Sequence, residues 1–336
     1  MSYIRLSRAN YWHNLNFLSE KLGSANKLAV VLKDNAYGHG LLEMASLACE
    51  FGINRAIVRS HEEAFKIEPF FNNIIILLPN VNYPYNPKFS LVVNSLDSLY
   101  SFDSMSALHL KVDTGMHRNG IMMHELDKAL NIVKKQNLNL EAVMTHFRSG
   151  DELSGELFWQ MKNWREIKQR VSMLFSKKIL FHSANSATLL RLKNYEDDFA
   201  RCGIASFGYH HMPLSFGKFN LKPVMTLYAN KISTRFIKKG ERVGYGGIFH
   251  STKDMKISSY DIGYGDGFFR FDGVGKFSIA DGRNILGRIS MDSFMIEGED
   301  DEVVVFDNVQ DIASLFETIS YDILVKLSSS IKRVVI

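Results

Sequence analysis

From Lys27 to about Gly208 the chain alternates short apolar runs with longer stretches of helical period. KLAVVL precedes LLEMASLACEF, INRAIV precedes HEEAFKI, and the apolar runs IIILL, LVVN, LHLKV, LEAVM, KILFH and GIASFG follow. Runs of four to six apolar residues read as buried strands, and the amphipathic stretches between them read as helices. Such β-α units demand a mainly parallel sheet, which leaves either an open doubly wound sheet or a closed barrel. No GxGxxG turn follows the early strands, and about eight units fit before residue 210, so the pattern predicts an eight-stranded TIM-type α/β barrel.

After about Pro223 the texture changes. VMTLYANKIST, ERVGYGGIF, MKISSYDIGYGDG, KFSIADGRN, ILGRISMDSFMI and EVVVFD are strand-like runs punctuated by glycines, with helical period only around IASLFETI. A second, mostly β domain is expected, dividing the chain into 1–221 and 222–336.

Composition narrows the class without changing this picture. The 336 residues are 46% hydrophobic and 23% charged, with a net charge of +4 spread in pairs such as Lys134-Lys135 and Lys238-Lys239. That pattern does not suggest nucleic-acid binding, and no apolar run approaches the length of a membrane span. The amino terminus lacks the apolar core of a signal peptide, and two cysteines, Cys49 and Cys202, cannot build a disulfide framework. The expected location is cytoplasmic.

The chemistry-bearing residues fall where a barrel enzyme keeps them. Lys33, Lys111, His146, His182 and Arg201 all end or closely follow apolar runs, and active sites of such barrels lie at the carboxyl ends of the strands. The run VVLKDNAYGHG delivers Lys33 from a strand, with a hydroxyl at Tyr37; an aldehyde cofactor needs such an amine for a Schiff base and hydroxyls for its phosphate.

This stretch resembles the cofactor-lysine motif of the alanine racemases, which bind pyridoxal 5′-phosphate (PLP). KVDTGMHRNG, THF, HSANSA, RCGIASFGY, VGYGGIF, IGYGDG, GRISMD and ISYD resemble further motifs of that family, in its order and over nearly the whole chain. The resemblance implies an isomerase that interconverts L- and D-alanine for cell-wall peptidoglycan. Lys33 would carry PLP and act as one base. Tyr37, Ser186, Gly203, Ile204 and Tyr321 would hold the phosphate, His146 would stack on the ring, and Arg201 would face the pyridine nitrogen.

Tyr245 would be the second base, reaching the active site of the partner subunit in a homodimer with shared sites. The resemblance also places Arg118, Met291 and Asp292 on the substrate side and Tyr264 at the entrance, and makes Lys111 a candidate for a carbamate that orients Arg118. Three departures stand out: Arg148 follows His146-Phe147 where a small residue is usual, adding a charge beside the cofactor; Asn119 replaces an apolar residue; and LSSSIKRVV lacks the usual tyrosine and proline. The competing readings are a racemase for serine or larger side chains, a decarboxylase on the same scaffold, and a PLP-binding protein. The decarboxylase would need a cysteine in the second domain, which is absent, and the third would lack the β domain.

Overall fold

The computed structural model describes residues 1–336, which form two compact units. One comprises Trp12–Ala36 and Met44–Lys222. Its strands are Leu28–Val31, Arg55–Val58, Asn73–Ile76, Phe89–Val93, Ala107–Asp113, Leu140–Met144, Leu180–His182 and Ala200–Cys202, and from the first to the seventh each pairs in parallel with the next. The last returns to the first, aligning Arg201 with Ala29. Backbone bonds from Asp198 N–H to the Phe181 carbonyl (2.9 Å) and from Arg201 N–H to the Ala184 carbonyl (3.0 Å) join the remaining pair and nearly close the eight-stranded barrel.

Runs such as LAVV are buried throughout because helices cover their outer faces while the barrel interior is itself packed. The eighth strand lies at Ala200–Cys202 rather than in the GIASFG run after it. Residues 203–208 turn instead, with Ser206 N–H bonded to the Gly203 carbonyl at 2.9 Å, and Gly203 directly follows the strand's carboxyl end.

The other unit comprises Met1–Tyr11, Tyr37–Glu43 and Pro223–Ile336. Its main sheet is built on the long strand Met225–Ile237, whose first residues alternate buried and half-buried as a strand with one face on a core must. Its largest segment begins at Pro223, next to the expected division at 221/222, and two earlier segments join it. The strand Tyr3–Leu6 runs antiparallel to Met225–Ile237 and parallel to Lys332–Val335, so the chain's first residues complete the carboxyl-terminal sheet. Ile4 and Leu6 point into its core and are fully buried. KFSIADGRN forms only one isolated bridge, Ser278 to Asn284, and IASLFETI is interrupted: helix Val309–Leu315 stops before Glu317, whose φ is +50°. No helix is long and apolar enough to cross a membrane.

Candidate active site

The barrel places its unusual residues at one end. Lys33 follows the first strand by two residues, Lys111 lies near the end of the fifth, His146 follows the sixth by two, His182 ends the seventh, and Arg201 lies within the eighth. His146 is the focus of their charges. Burial, then Arg201, Arg118, Lys111 and Lys33 in turn, push its imidazole down to about 3, so the ring is neutral and surrounded by cations. Burial, Arg118 and Arg201 likewise lower the Lys111 ammonium to about 8. So much positive charge gathered at one point suits an anionic ligand.

Arg201 is only 5% exposed and is held by four hydrogen bonds. Nη1 donates to His182 Nδ1 and to the His182 carbonyl, both at 2.9 Å; Nη2 donates to the carbonyls of Thr145 (2.7 Å) and Ser183 (2.9 Å). A guanidinium has five N–H donors, so these two pairs leave Nε–H for a ligand.

The bond to His182 starts a buried chain across the barrel interior. Because arginine only donates, His182 accepts at Nδ1 and carries its proton on Nε2, 3.0 Å from His109 Nδ1. His109 then carries its proton on Nε2 and donates it to Glu141 at 2.9 Å. Burial keeps both imidazoles neutral, lowering their affinity for a second proton. Burial alone would raise the Glu141 carboxyl, but the bonds from His109 and Ser90, with Arg55 nearby, hold it at about 2. A positive and a negative end thus share one line of oriented donors, which helps hold Arg201 in place. His109 and Glu141 carry no motif signal: each is one residue of an apolar strand, and only the barrel's curvature aligns them.

Ser186 opens the short helix Ser186–Arg191, whose Asn185 cap accepts from Thr188 N–H at 2.9 Å. Its hydroxyl receives Gly203 N–H at 3.2 Å and Ala205 N–H at 3.3 Å, so the turn carrying Gly203 and Ile204 aims backbone donors at one point. Lys111 donates to the Asn119 carboxamide oxygen. The residue that replaces an apolar side chain therefore holds the lysine. The Arg148 guanidinium bonds the Gly115 carbonyl at 2.8 Å and pairs with Glu156. A long side chain at a strand end relieves its charge against a carboxylate rather than among four other cations.

The segment after Lys33 adopts a conformation that no spacing rule suggests. Asp34, Asn35, Ala36 and Tyr37 all have φ between +51° and +55°, a left-handed turn of four non-glycine residues. Such residues cost about 1–2 kcal/mol each and persist only where neighbours over-determine them. Glu63 accepts Asp34 N–H at 2.7 Å, and Arg59 pairs with the Asp34 carboxylate at 3.0 Å.

In the other unit the Tyr37 and Tyr321 rings lie 5.6 Å apart. Tyr245 occupies a single turn between Gly244 and Gly246, both at φ +73°, and is 68% exposed. Tyr264 and Met291-Asp292 share a second cluster: Tyr264 N–H bonds the Ser290 carbonyl at 3.1 Å, and Gly265 N–H bonds the Met291 carbonyl at 2.8 Å. GRISMD links both places, since Arg288 approaches the Gly246 backbone.

This arrangement defines a parallel-barrel enzyme with its reactive groups at the carboxyl ends of the strands. Residues 6–211 match the family described as "Alanine racemase, N-terminal domain", and residues 224–335 match "Alanine racemase, C-terminal domain". The chain is 48% identical to an alanine racemase of a Nitratiruptor species, with 99% of each chain covered. It is 43% identical to an alanine racemase of Campylobacter jejuni subsp. jejuni serotype O:2 over the whole of both chains. Among solved structures, alanine racemase from Bacillus anthracis with bound L-Ala-P is similar with a TM-score of 0.89 at 25% identity, covering 100% of this chain and 95% of that one. Histidine racemase from Leuconostoc mesenteroides gives a TM-score of 0.85 at 25% identity, covering 100% and 98%. The chain belongs to the alanine racemase family.

Proposed function

We propose that this chain interconverts L- and D-alanine with PLP, as a homodimer whose subunits share their active sites, and that its D-alanine serves peptidoglycan. The observation that carries the reading is Arg201, whose four pinned N–H groups leave one donor among the cations around His146. The Ser186 hydroxyl and the N–H groups of the Gly203-Ile204 turn suit the phosphate of PLP, and the family resemblance would add the hydroxyls of Tyr37 and Tyr321.

When bound, PLP would supply the carbonyl that condenses with an amine and the conjugated ring that delocalises an electron pair at Cα. Lys33 Nζ would hold that carbonyl and move a proton on one face of Cα. Arg201 would direct Nε–H to the pyridine nitrogen, and because a guanidinium does not give up its proton, that nitrogen would be left unprotonated. Weaker electron withdrawal favours rapid return of a proton to Cα, hence racemisation over transamination. Neutral His146 would lie on the ring without adding charge. Tyr245 of the partner subunit would serve the opposite face, since inversion needs two differently placed groups. Arg118, Met291 and Asp292 would contact substrate, with Tyr264 at the entrance. Lys111 would orient Arg118, either through Asn119 or as a carbamate.

A second reading, racemisation of a larger side chain, is favoured by the likeness to the histidine racemase. A panel of amino acids, with each product's enantiomer read by stereospecific oxidase, separates the two; turnover of histidine equal to that of alanine would overturn the first. Borohydride reduction should fix PLP to Lys33, and fixation to another lysine would overturn the site. Tyr245→Phe should keep bound PLP yet lose racemisation by roughly 10²–10⁴-fold, the usual worth of a general base.

A further inference from the structure

We propose that Arg148 is a positioning residue, which clamps the turn after Asp113 so that Arg118 is presented to substrate; this rests on the substrate-side reading of Arg118 above. The turn is held from both sides. On its inner side the Asp113 carboxylate accepts the N–H groups of Gly115 (2.9 Å), Met116 (2.9 Å) and His117 (3.1 Å). On its outer side the helix Glu156–Leu174 presents three groups. Asn163 donates to the Thr114 carbonyl at 3.0 Å, and Trp159 lies so close that a Cβ on Gly115 would sit 2.3 Å from its ring. Glu156 pairs with Arg148, whose other arm bonds the Gly115 carbonyl at 2.8 Å.

Arg148 is the element that joins these parts. It lies two residues after His146, its own N–H bonds Gln160 Oε1 at 2.9 Å, and its guanidinium lies 5.7 Å from the Trp159 ring centre. One residue therefore ties the segment after the sixth barrel strand, the long helix and the turn together. The turn needs such a tie, because His117 at φ +54° holds a conformation that a free loop leaves readily. Arg118 follows directly, and it is near enough to Lys111 and His146 to depress both their proton affinities. Loosening the turn would spread the Arg118 guanidinium over several positions. An interaction of Arg118 with a carboxylate made equally in ground and transition states would then weaken, raising KM rather than lowering kcat.

The test uses the PLP-loaded enzyme and the amino acid it turns over best. Arg148→Ala should raise KM about 5- to 30-fold with kcat within about 2-fold, because only uniform binding is lost. Bound PLP should be unchanged, and amide exchange at Gly115–Asn119 should accelerate. Glu156→Gln should give the same effect in weaker form, the double variant should add nothing to Arg148→Ala, and Arg148→Lys should recover part of the affinity. An Arg148→Ala enzyme with unchanged KM and unchanged exchange would overturn the proposal, as would faster exchange with a loss confined to kcat. A wild-type protein that racemises no amino acid would instead overturn the functional reading, while the exchange measurement would still decide whether Arg148 clamps the turn.

Discussion

His146 shows how a single side chain's behaviour is set by its surroundings rather than by its type. Its neutral ring is enforced by burial and four cations, which hold it at about 3, whereas an unfolded histidine titrates near 6.5. Between those limits the unfolded chain binds a proton that the folded one refuses. Stability carried by this group is therefore complete above pH 6.5 and is lost as pH falls toward 3, with a slope of up to about 1.4 kcal/mol per pH unit. In PLP-free protein, His146→Phe should flatten the fall of the urea midpoint between pH 6.5 and 4.5 relative to wild type. Equal slopes would mean that the ring titrates as in water.

At the scale of elements, the left-handed turn and its following glycine make opposite demands on Cβ. Ala36 pays about 1–2 kcal/mol for its positive φ, so Ala36→Gly removes strain while losing one buried methyl and adding chain entropy, and the net change should be near zero. Gly38, at φ +81°, has no such freedom: a Cβ there would lie 1.9 Å from the Leu324 carbonyl. Gly38→Ala should therefore destabilise by more than about 3 kcal/mol, a size reserved for steric conflicts with backbone. Thermal midpoints compare the two variants, and a larger loss in Ala36→Gly would contradict the turn's conformation. The glycine of YGHG is thus required by packing, while the residues before it are tolerated through Glu63 and Arg59.

For the whole molecule, the exposure of Tyr245 bears on the proposed sharing of sites between subunits. A tyrosine displayed between two glycines, 68% accessible, serves no core within its own unit. If it completes the site of the partner subunit, then Lys33→Ala and Tyr245→Phe chains, each inactive, should regain activity when subunits exchange. Half the sites of each heterodimer would then carry both groups, and the recovered rate should approach half that of wild type per heterodimer. Demonstrated heterodimers without recovery would place both groups in one chain.

The apolar runs from Leu28 to Met144 were legible as strands because a barrel strand is buried on both faces, and burial writes a continuous local signal. Lys33, Arg201, Ser186 and Gly203 stand in short motifs whose residue types lie within a few positions of one another, and the fold brings Gly203 N–H to the Ser186 hydroxyl. Non-local arrangements were not legible. YIRL alternates like many short segments, and only its two partners, more than 200 residues away, make it a strand of the carboxyl-terminal sheet. His109, Glu141 and His182 are single polar residues in separate strands, and their line of hydrogen bonds exists only because barrel closure points them at one axis. Arg148 is a lone charge in the sequence, and only the fold supplies Gly115 and Glu156 as its partners. Local pattern decided which segments are strands and which residue types could do the chemistry; register, closure and the direction of long side chains depend on distant partners, and those only the tertiary structure decided.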